Sequence, residues 1–244
     1  MPRFFCEPED ISENTLILRE DAHHITHVLR RVKGDAITVC DGAGTDFDCI
    51  IAETGDTVRC DIVARKPSEV EPKLAITLVQ GLPKADKMEW IIQKNTELGV
   101  SRFIPLFCER SLIKLDPKKK NQKEDRWQKI ALSGAKQSGR GLIPAVEEAM
   151  TLDAFLKTVS GYDAVIVLYE DEKRVSLKTT LAALPGATRI ALLVGPEGGW
   201  APEEIAKMRA KGVLCCGLGP RILRTETAGM TAVAAVLYHF DEME

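Results

Sequence analysis

Two stretches near the end of the 244-residue chain decide how it folds: Leu193-Val194-Gly195-Pro196-Glu197-Gly198-Gly199-Trp200 and Leu218-Gly219-Pro220-Arg221-Ile222-Leu223-Arg224-Thr225-Glu226-Thr227-Ala228. Each leaves an apolar, strand-like run (Ile190 to Val194, then Val213 to Leu218) through a glycine-bearing bend and enters a helix-like one (Pro202 to Ala210, then Thr227 to Phe240). A continuous apolar strand that alternates with helices belongs to a parallel sheet covered on both faces. In such sheets ligands bind beyond the carboxyl ends of the strands, where both bends lie.

The same alternation extends upstream. Leu74 to Gln80, Phe103 to Phe107 and Ala164 to Tyr169 read as strands, and Ala85 to Leu98 and Asp125 to Ser138 as helices. Gly99 and Gly212 stand where left-handed helix ends are wanted. Pro202, Glu203 and Glu204 suit the first turn of a helix. Before this region, Arg3 to Lys66 reads as short β segments, Thr15 to Leu18, Ala36 to Cys40, Asp46 to Ala52 and Thr57 to Val63, with one short helix at Ala22 to Leu29. The polar, proline-bearing run Lys66 to Pro72 marks the boundary. The expected class is α/β: residues 1–68 form a small β-barrel domain and residues 73–244 an α/β domain.

With 45% apolar and 28% charged residues, the chain has the balance of a globular protein rather than a disordered one. Its apolar runs fall short of the ~20 residues that span a bilayer. Met1-Pro2-Arg3-Phe4-Phe5 has none of the features of a secretory signal, so a cytoplasmic protein is expected. The seven cysteines contain no C-x-x-C pair, and His23 and His27 lack the glutamate of H-E-x-x-H, so no metal is expected. The net charge of −3 leaves any polyanionic partner to local patches. One such patch is Lys114, Lys118, Lys119, Lys120, Lys123, Arg126 and Lys129; Arg30, Arg31 and Lys33 form a smaller one. Trp90 and Trp127 sit at helical positions that suit core packing, whereas Trp200 on its glycine loop suits either packing or stacking.

The two glycine bends narrow the ligand. Glycine lets a ligand approach main-chain N–H and C=O groups that read an adenine edge, although a bare strand-to-helix turn would also explain a single Gly-Gly. Neither G-x-G-x-x-G early in a βαβ unit nor G-x-x-x-x-G-K-[ST] occurs, so the usual pyrophosphate cradles are absent. Glu197 would repel phosphates and accept a sulfonium or an amine. A cationic, non-phosphorylated adenosyl ligand fits these features.

Several motifs carry a resemblance. Gly81-Leu82-Pro83-Lys84-Ala85-Asp86-Lys87-Met88-Glu89-Trp90-Ile91-Ile92-Gln93-Lys94, then Thr96-Glu97-Leu98-Gly99-Val100, Lys136-Gln137-Ser138-Gly139-Arg140 and the two bends together resemble the RsmE family of 16S ribosomal RNA uridine N3-methyltransferases. The opening Met1 to Phe5 and His24 to Arg30 agree, so the likeness covers nearly the whole chain; Asn95 and Lys136 depart from its pattern. The resemblance implies a PUA-like N-terminal barrel that binds RNA and a SPOUT-type C-terminal domain with a deep trefoil knot. It also implies a homodimer and S-adenosyl-L-methionine as cofactor, with ribosomal RNA of the small subunit as partner.

On that resemblance the cofactor is held by Leu168, Tyr169, Glu170, Leu193, Val194, Gly195, Pro196, Glu197, Gly198, Gly199, Leu218, Gly219, Ile222, Leu223, Arg224 and Thr227. RNA meets Arg3, Arg30, Arg31, Lys84, Lys87, Lys94, Arg140 and Arg221. Methylating uracil N3 requires loss of its proton and stabilisation of charge on O2 and O4. Arg140 or Arg224 is expected to supply the charge, and Glu197 or Glu226 to orient the base or accept the proton. A phosphate contact or an ion pair to a neighbouring acid explains Arg224 equally well, and a helix-terminal acid explains Glu226 better. Two other readings remain at this level: an RNA-binding module whose α/β domain has lost its cofactor, and a related knotted methyltransferase of transfer RNA.

Overall fold

The computed structural model describes residues 3–111 and 117–243, except for the side chains of residues 117–120. The chain divides into two compact units, one of Met1–Glu71 with Ala135–Ile143, the other of Pro72–Gly134 with Pro144–Glu244.

In the first unit β1 (Arg3–Phe5), β2 (Thr15–Leu18), β3 (Ala36–Cys40), β4 (Thr45–Thr54) and β5 (Val58–Pro67) form one sheet in the order β1-β3-β4-β5-β2. All pairs are antiparallel except β1 with β3. Alternating side chains from every strand, including Phe4, Leu16, Ile37, Phe47, Ile51 and Val58, fill one core together with Ile25. The Cys6 thiol, just past β1, donates to the Ile17 carbonyl of β2 at 3.3 Å, so the two edge strands of the path come within contact of each other. The short helix expected at Ala22 to Leu29 is a single π-helical turn, His24–Val28, and β1 was not singled out as a strand.

Residues 135–143, assigned on sequence to the second domain, belong to the first unit. Arg140 forms a bidentate pair with Glu71, Nη2 to Oε2 at 2.6 Å, and the same carboxylate accepts the N–H groups of Gly141 and Leu142. Main-chain bonds of Gly44 with Gly141 and of Ile143 with Gly42 complete the attachment.

The second unit is built on β6 (Ala75–Gly81), α1 (Lys87–Leu98), β7 (Arg102–Phe107), α2 (Pro117–Ser138, to Gly134 in this unit) and the short β8 (Ala145–Val146) and β9 (Met150–Thr151). It continues through α3 (Leu152–Phe155), β10 (Ala164–Leu168), α4 (Leu177–Ala182), β11 (Arg189–Val194), α5 (Pro202–Ala210), β12 (Leu214–Cys216) and α6 (Thr225–His239). The seven strands are parallel, in the order β12-β10-β11-β6-β7-β8 with β9 also on β7. Two cores cover the two faces. One gathers Ile76, Leu78, Ile91, Ile92, Val233 and Leu237, and the other Val79, Val167, Leu193, Trp200, Ile205 and Met208.

Local chemistry sets the helix ends. Gly99 and Gly212 have φ of +109° and +78°, the left-handed values that let a helix stop without a Cβ clash. The Glu204 carboxylate of α5 accepts the N–H of Ala201 at 2.9 Å and thus caps its own helix. α1 begins at Lys87 rather than Ala85, because Ala85 has a φ of +52° outside the helical region. Trp127 is buried, but Trp90, expected in the core, is 40% exposed: Met88, Ile91 and Ile92 take the inward stripe of α1 and Trp90 lies off it.

Candidate active site at the tips of three neighbouring strands

β12, β10 and β11 are adjacent in the sheet, so the segments that follow them emerge side by side. A cavity of about 400 Å³ opens among them, within the range of small-molecule sites. Its walls are Leu168 to Glu170 with Lys173, then Val194 to Glu197 with Gly199, then Gly217 to Gly219 and Arg221 to Arg224. Thr225 and Ala228 of α6 and Lys87 of α1 complete it.

The walls are fixed from behind. Trp200, fully buried, donates its indole N–H to the Leu168 carbonyl at 3.1 Å, locking the loop after β11 to the tip of β10. The Thr225 hydroxyl donates to the Gly195 carbonyl at 2.6 Å and accepts from the buried Gln80 Nε2 at 2.9 Å. Peptide carbonyls at the edge of the cavity are thereby held in position before any ligand arrives. Gly199 has a φ of +67°, and a Cβ there would land against the Glu170 carboxylate. The left-handed φ favours glycine at that bend, and a Cβ would oblige the exposed Glu170 carboxylate to move aside.

The charged groups are paired. Lys87 Nζ stands 2.9 Å from Glu197 Oε1 and 3.3 Å from Glu226 Oε2. The second contact is ionic rather than aligned, since Glu226 Oε2 is buried without a hydrogen-bond partner among the described residues. Glu197 also accepts the main-chain N–H of Lys84 at 3.1 Å. The hydrogen bond to Glu197 holds the Lys87 ammonium above the usual lysine range, against its partial desolvation. Burial pushes the Glu197 carboxyl up, but the Lys87 ammonium, its own N–H and that of Lys84 outweigh this and leave it below the usual range. Lys173 donates to the main-chain carbonyl of Glu170.

The donor set suits an adenosyl sulfonium compound. It offers carbonyls and carboxylates to hydroxyl, amino and sulfonium groups, and none of the nested N–H groups of a pyrophosphate loop was found in the sequence.

Most residues expected to hold a cofactor line this cavity; Leu193, Gly198 and Thr227 do not. Neighbouring strand residues point to opposite faces, so Leu193 is in the core beneath while Val194 faces the cavity. Gly198 turns its carbonyl to Arg110 at 3.2 Å. On α6 the cavity stripe is Thr225 and Ala228, three residues apart, and Thr227 is off it.

Of the four residues expected to be catalytic, Glu197 and Arg224 line the cavity, and Glu226 reaches it through Lys87. Arg140 is not among the lining residues: its side chain is buried in the first unit against Glu71. Among the residues expected to meet RNA, Arg30, Lys84 and Arg221 are exposed. Arg31 approaches Asp35 at 3.9 Å, Lys94 pairs with Glu97 at 2.8 Å, and Arg3 turns inward to Asp46 and Ser68, each at 2.8 Å. Lys87, expected on the RNA side, is part of the cavity wall. In the longer basic patch Lys123 and Lys129 are exposed and Arg126 pairs with Glu89, while Lys114 and the side chains of Lys118, Lys119 and Lys120 lie outside the described residues. The sequence reading missed Lys173, Gly217, Thr225 and Ala228 as lining groups and Gln80 as a support; for Thr225 and Ala228 the helical spacing was an available signal.

Comparison with known proteins gives the family. The family described as RNA methyltransferase domain matches residues 70–237, and that described as RNA methyltransferase PUA domain matches residues 17–63. The ribosomal RNA small subunit methyltransferase E of Bacillus subtilis is 36% identical over 98% of this chain and 96% of its own length. Its Synechocystis namesake is 34% identical over 96% and 76%. The crystal structure of the Neisseria gonorrhoeae enzyme of that name bound to S-adenosyl methionine superposes with a TM-score of 0.81, at 32% identity and over 98% and 97% of the two chains. The chain, a PUA-like β domain joined to a parallel-sheet SPOUT-type domain, belongs to the ribosomal RNA small subunit methyltransferase E family.

Proposed function

We propose that the protein transfers the methyl group of S-adenosylmethionine to N3 of a uridine in 16S ribosomal RNA. The observation that carries this reading is the cavity at the tips of β10, β11 and β12, whose carbonyls are fixed from behind and which offers acceptors, the Glu170 carboxylate among them, rather than a phosphate cradle. The bound cofactor would supply the electrophilic methyl carbon.

The residues of the chain supply the rest. Leu168, Gly195 and Leu218 present main-chain groups to the adenosine portion, and Glu170 offers its carboxylate to hydroxyl groups. Arg224, exposed at the rim, stabilises charge on uracil O2 or O4 as N3 loses its proton. Glu226 or Glu197 accepts that proton, while nitrogen's electron pair forms the new N–C bond and the sulfonium's bonding pair returns to sulfur. Atoms and charge then balance: the products are N3-methyluridine, a neutral thioether and one proton.

Arg30, Arg31, Lys84, Lys123, Lys129 and Arg221 supply the footing for RNA phosphates, so affinity for RNA falls steeply with added salt. We also assign to the protein the homodimeric state, the trefoil knot and the cytoplasmic location that its family resemblance implies. In favour of a dimer, a concavity between α1 and α6, formed by Lys94, Glu97, Leu98, Met230, Thr231 and Ala234, lies on helices that also expose Trp90 and Tyr238. No helix among the described residues is long and apolar enough to cross a membrane.

Titration calorimetry with S-adenosylmethionine and methyl-transfer assays of Arg224→Ala test the reading. It expects binding by the wild type, and loss of transfer with retained cofactor binding in the variant. No binding of the cofactor by the folded wild type would end it and favour the reading of a plain RNA-binding module.

A further inference from the structure

Lys87 lines the cavity, and its place in the reaction is left open by the roles above. It comes from the start of α1, far in sequence from both of its partners, and it bridges Glu197 of the loop after β11 to Glu226 of α6. Its side chain is 32% exposed, so it faces the cavity rather than the core. A single ammonium thus stands between Glu197, a carboxylate on the cavity wall, and Glu226, whose Oε2 is buried and which does not itself line the cavity. The other ionic groups on the walls are Glu170, Lys173, Arg221 and Arg224.

The substrate and product forms of the cofactor differ by one charge. S-adenosylmethionine carries a sulfonium, whereas S-adenosylhomocysteine, left after transfer, carries a neutral thioether. Carboxylates without a counterion favour the cation strongly. Carboxylates already neutralised by a lysine favour it little, and the lysine itself repels it. The sulfonium charge also dissipates as the methyl group departs. Attraction to the intact sulfonium is therefore ground-state binding, which lowers the concentration needed for saturation without speeding the step and can slow it.

We propose that Lys87 sets how the cavity ranks the charged cofactor against its neutral product, by neutralising Glu197 and Glu226 so that the sulfonium is not over-stabilised before transfer. This rests on the cofactor reading above and adds a specificity-determining residue to it. The surface lysines of the RNA footing do not share the role, because none of them bridges cavity carboxylates.

The test is calorimetric, on the full chain, with S-adenosylmethionine and S-adenosylhomocysteine as separate ligands. Lys87→Met is expected to raise the ratio of the product's Kd to the cofactor's Kd by roughly three- to ten-fold, a partial effect because the site is open to solvent. It should do so mainly by tightening S-adenosylmethionine, with kcat falling at saturating cofactor. Lys87→Arg keeps the charge and is expected to keep the wild-type ratio. Adding Glu197→Gln to Lys87→Met removes one of the exposed charges and is expected to bring the ratio back toward the wild-type value.

An unchanged ratio in Lys87→Met with both ligands still binding would overturn the proposal. So would a Lys87→Arg ratio that follows Lys87→Met, since shape and not charge would then be at work. Failure of the wild type to bind either ligand is a separate result, which removes the cofactor reading itself.

Discussion

The indole N–H of Trp200 donates to the Leu168 carbonyl at 3.1 Å, so the loop after β11 is tied to the tip of β10 by a bond that neither stretch makes within itself. Replacing Trp200 with Phe keeps an aromatic ring but leaves a buried carbonyl unpaired, a loss of about 1–3 kcal/mol. Stability in urea should fall by that order, and affinity for S-adenosylmethionine should fall with it because Leu168 lines the cavity. A stable variant with wild-type affinity would show that the tie does not shape the site.

Gly199 and Gly219 both have left-handed φ, +67° and +98°, but only Gly199 has a neighbour in the way. Gly219→Ala faces open space and carries only the backbone strain of a non-glycine residue, roughly 1–2 kcal/mol. Gly199→Ala carries similar strain and also drives a methyl group against Glu170. Calorimetry should therefore find the larger loss of cofactor affinity in Gly199→Ala. Equal losses would mean that strain alone matters.

The buried pair of Arg140 and Glu71 predicts a structural phenotype. Arg140→Ala strands a largely buried carboxylate, which costs about 3 kcal/mol, although the N–H groups of Gly141 and Leu142 still reach it. Thermal unfolding should show the loss. At temperatures where the variant is folded, S-adenosylmethionine should bind as in the wild type. A stable Arg140→Ala protein without methyl transfer would return this arginine to the chemistry.

The thiols predict a pH dependence. Burial pushes Cys6 to about 11 and Cys40, Cys49, Cys60, Cys108 and Cys216 to about 12, against an ordinary thiol value near 9. Because the thiolate is the reactive form, these six stay protonated and unreactive at pH 8. Cys215 is the one cysteine only partly buried. Iodoacetamide at pH 8 should label it alone in the native protein and all seven in urea, as mass spectrometry reads. A group with a raised folded pKa favours the folded state below its unfolded value and loses that contribution as pH climbs toward the folded one, so stability should decline above pH 9. Labelling of a β-domain cysteine at pH 8 would contradict the buried assignment.

Much of this architecture was legible because it is local. Apolar runs such as Ile190 to Val194 and glycines at helix ends announce a parallel sheet and its punctuation, and α5 falls where Pro202 and the acids after it place it. The two glycine bends led to the cavity for the same reason, since a strand order that makes β12, β10 and β11 neighbours brings their tips together. What escaped reading depends on contacts distant in sequence. Gln80 matters only because Thr225 and Gly195 come to it, and Lys87 only because Glu197 and Glu226 do. Residues 135–143 left their expected domain through a carboxylate, Glu71, that nothing nearby in sequence announces. Arg140 was expected to supply charge to the base or to meet RNA for the same reason: its pairing with Glu71 is distant in sequence.

The central claim is base methylation of ribosomal RNA at a stated atom. Small ribosomal subunits from a strain lacking this protein, incubated with it and isotopically labelled S-adenosylmethionine, then digested and mapped by mass spectrometry, test it most directly. The account predicts label at a single uridine of 16S RNA, carried on N3, and none with Arg224→Ala. Label on another base, on a ribose hydroxyl, or on no RNA at all would contradict it.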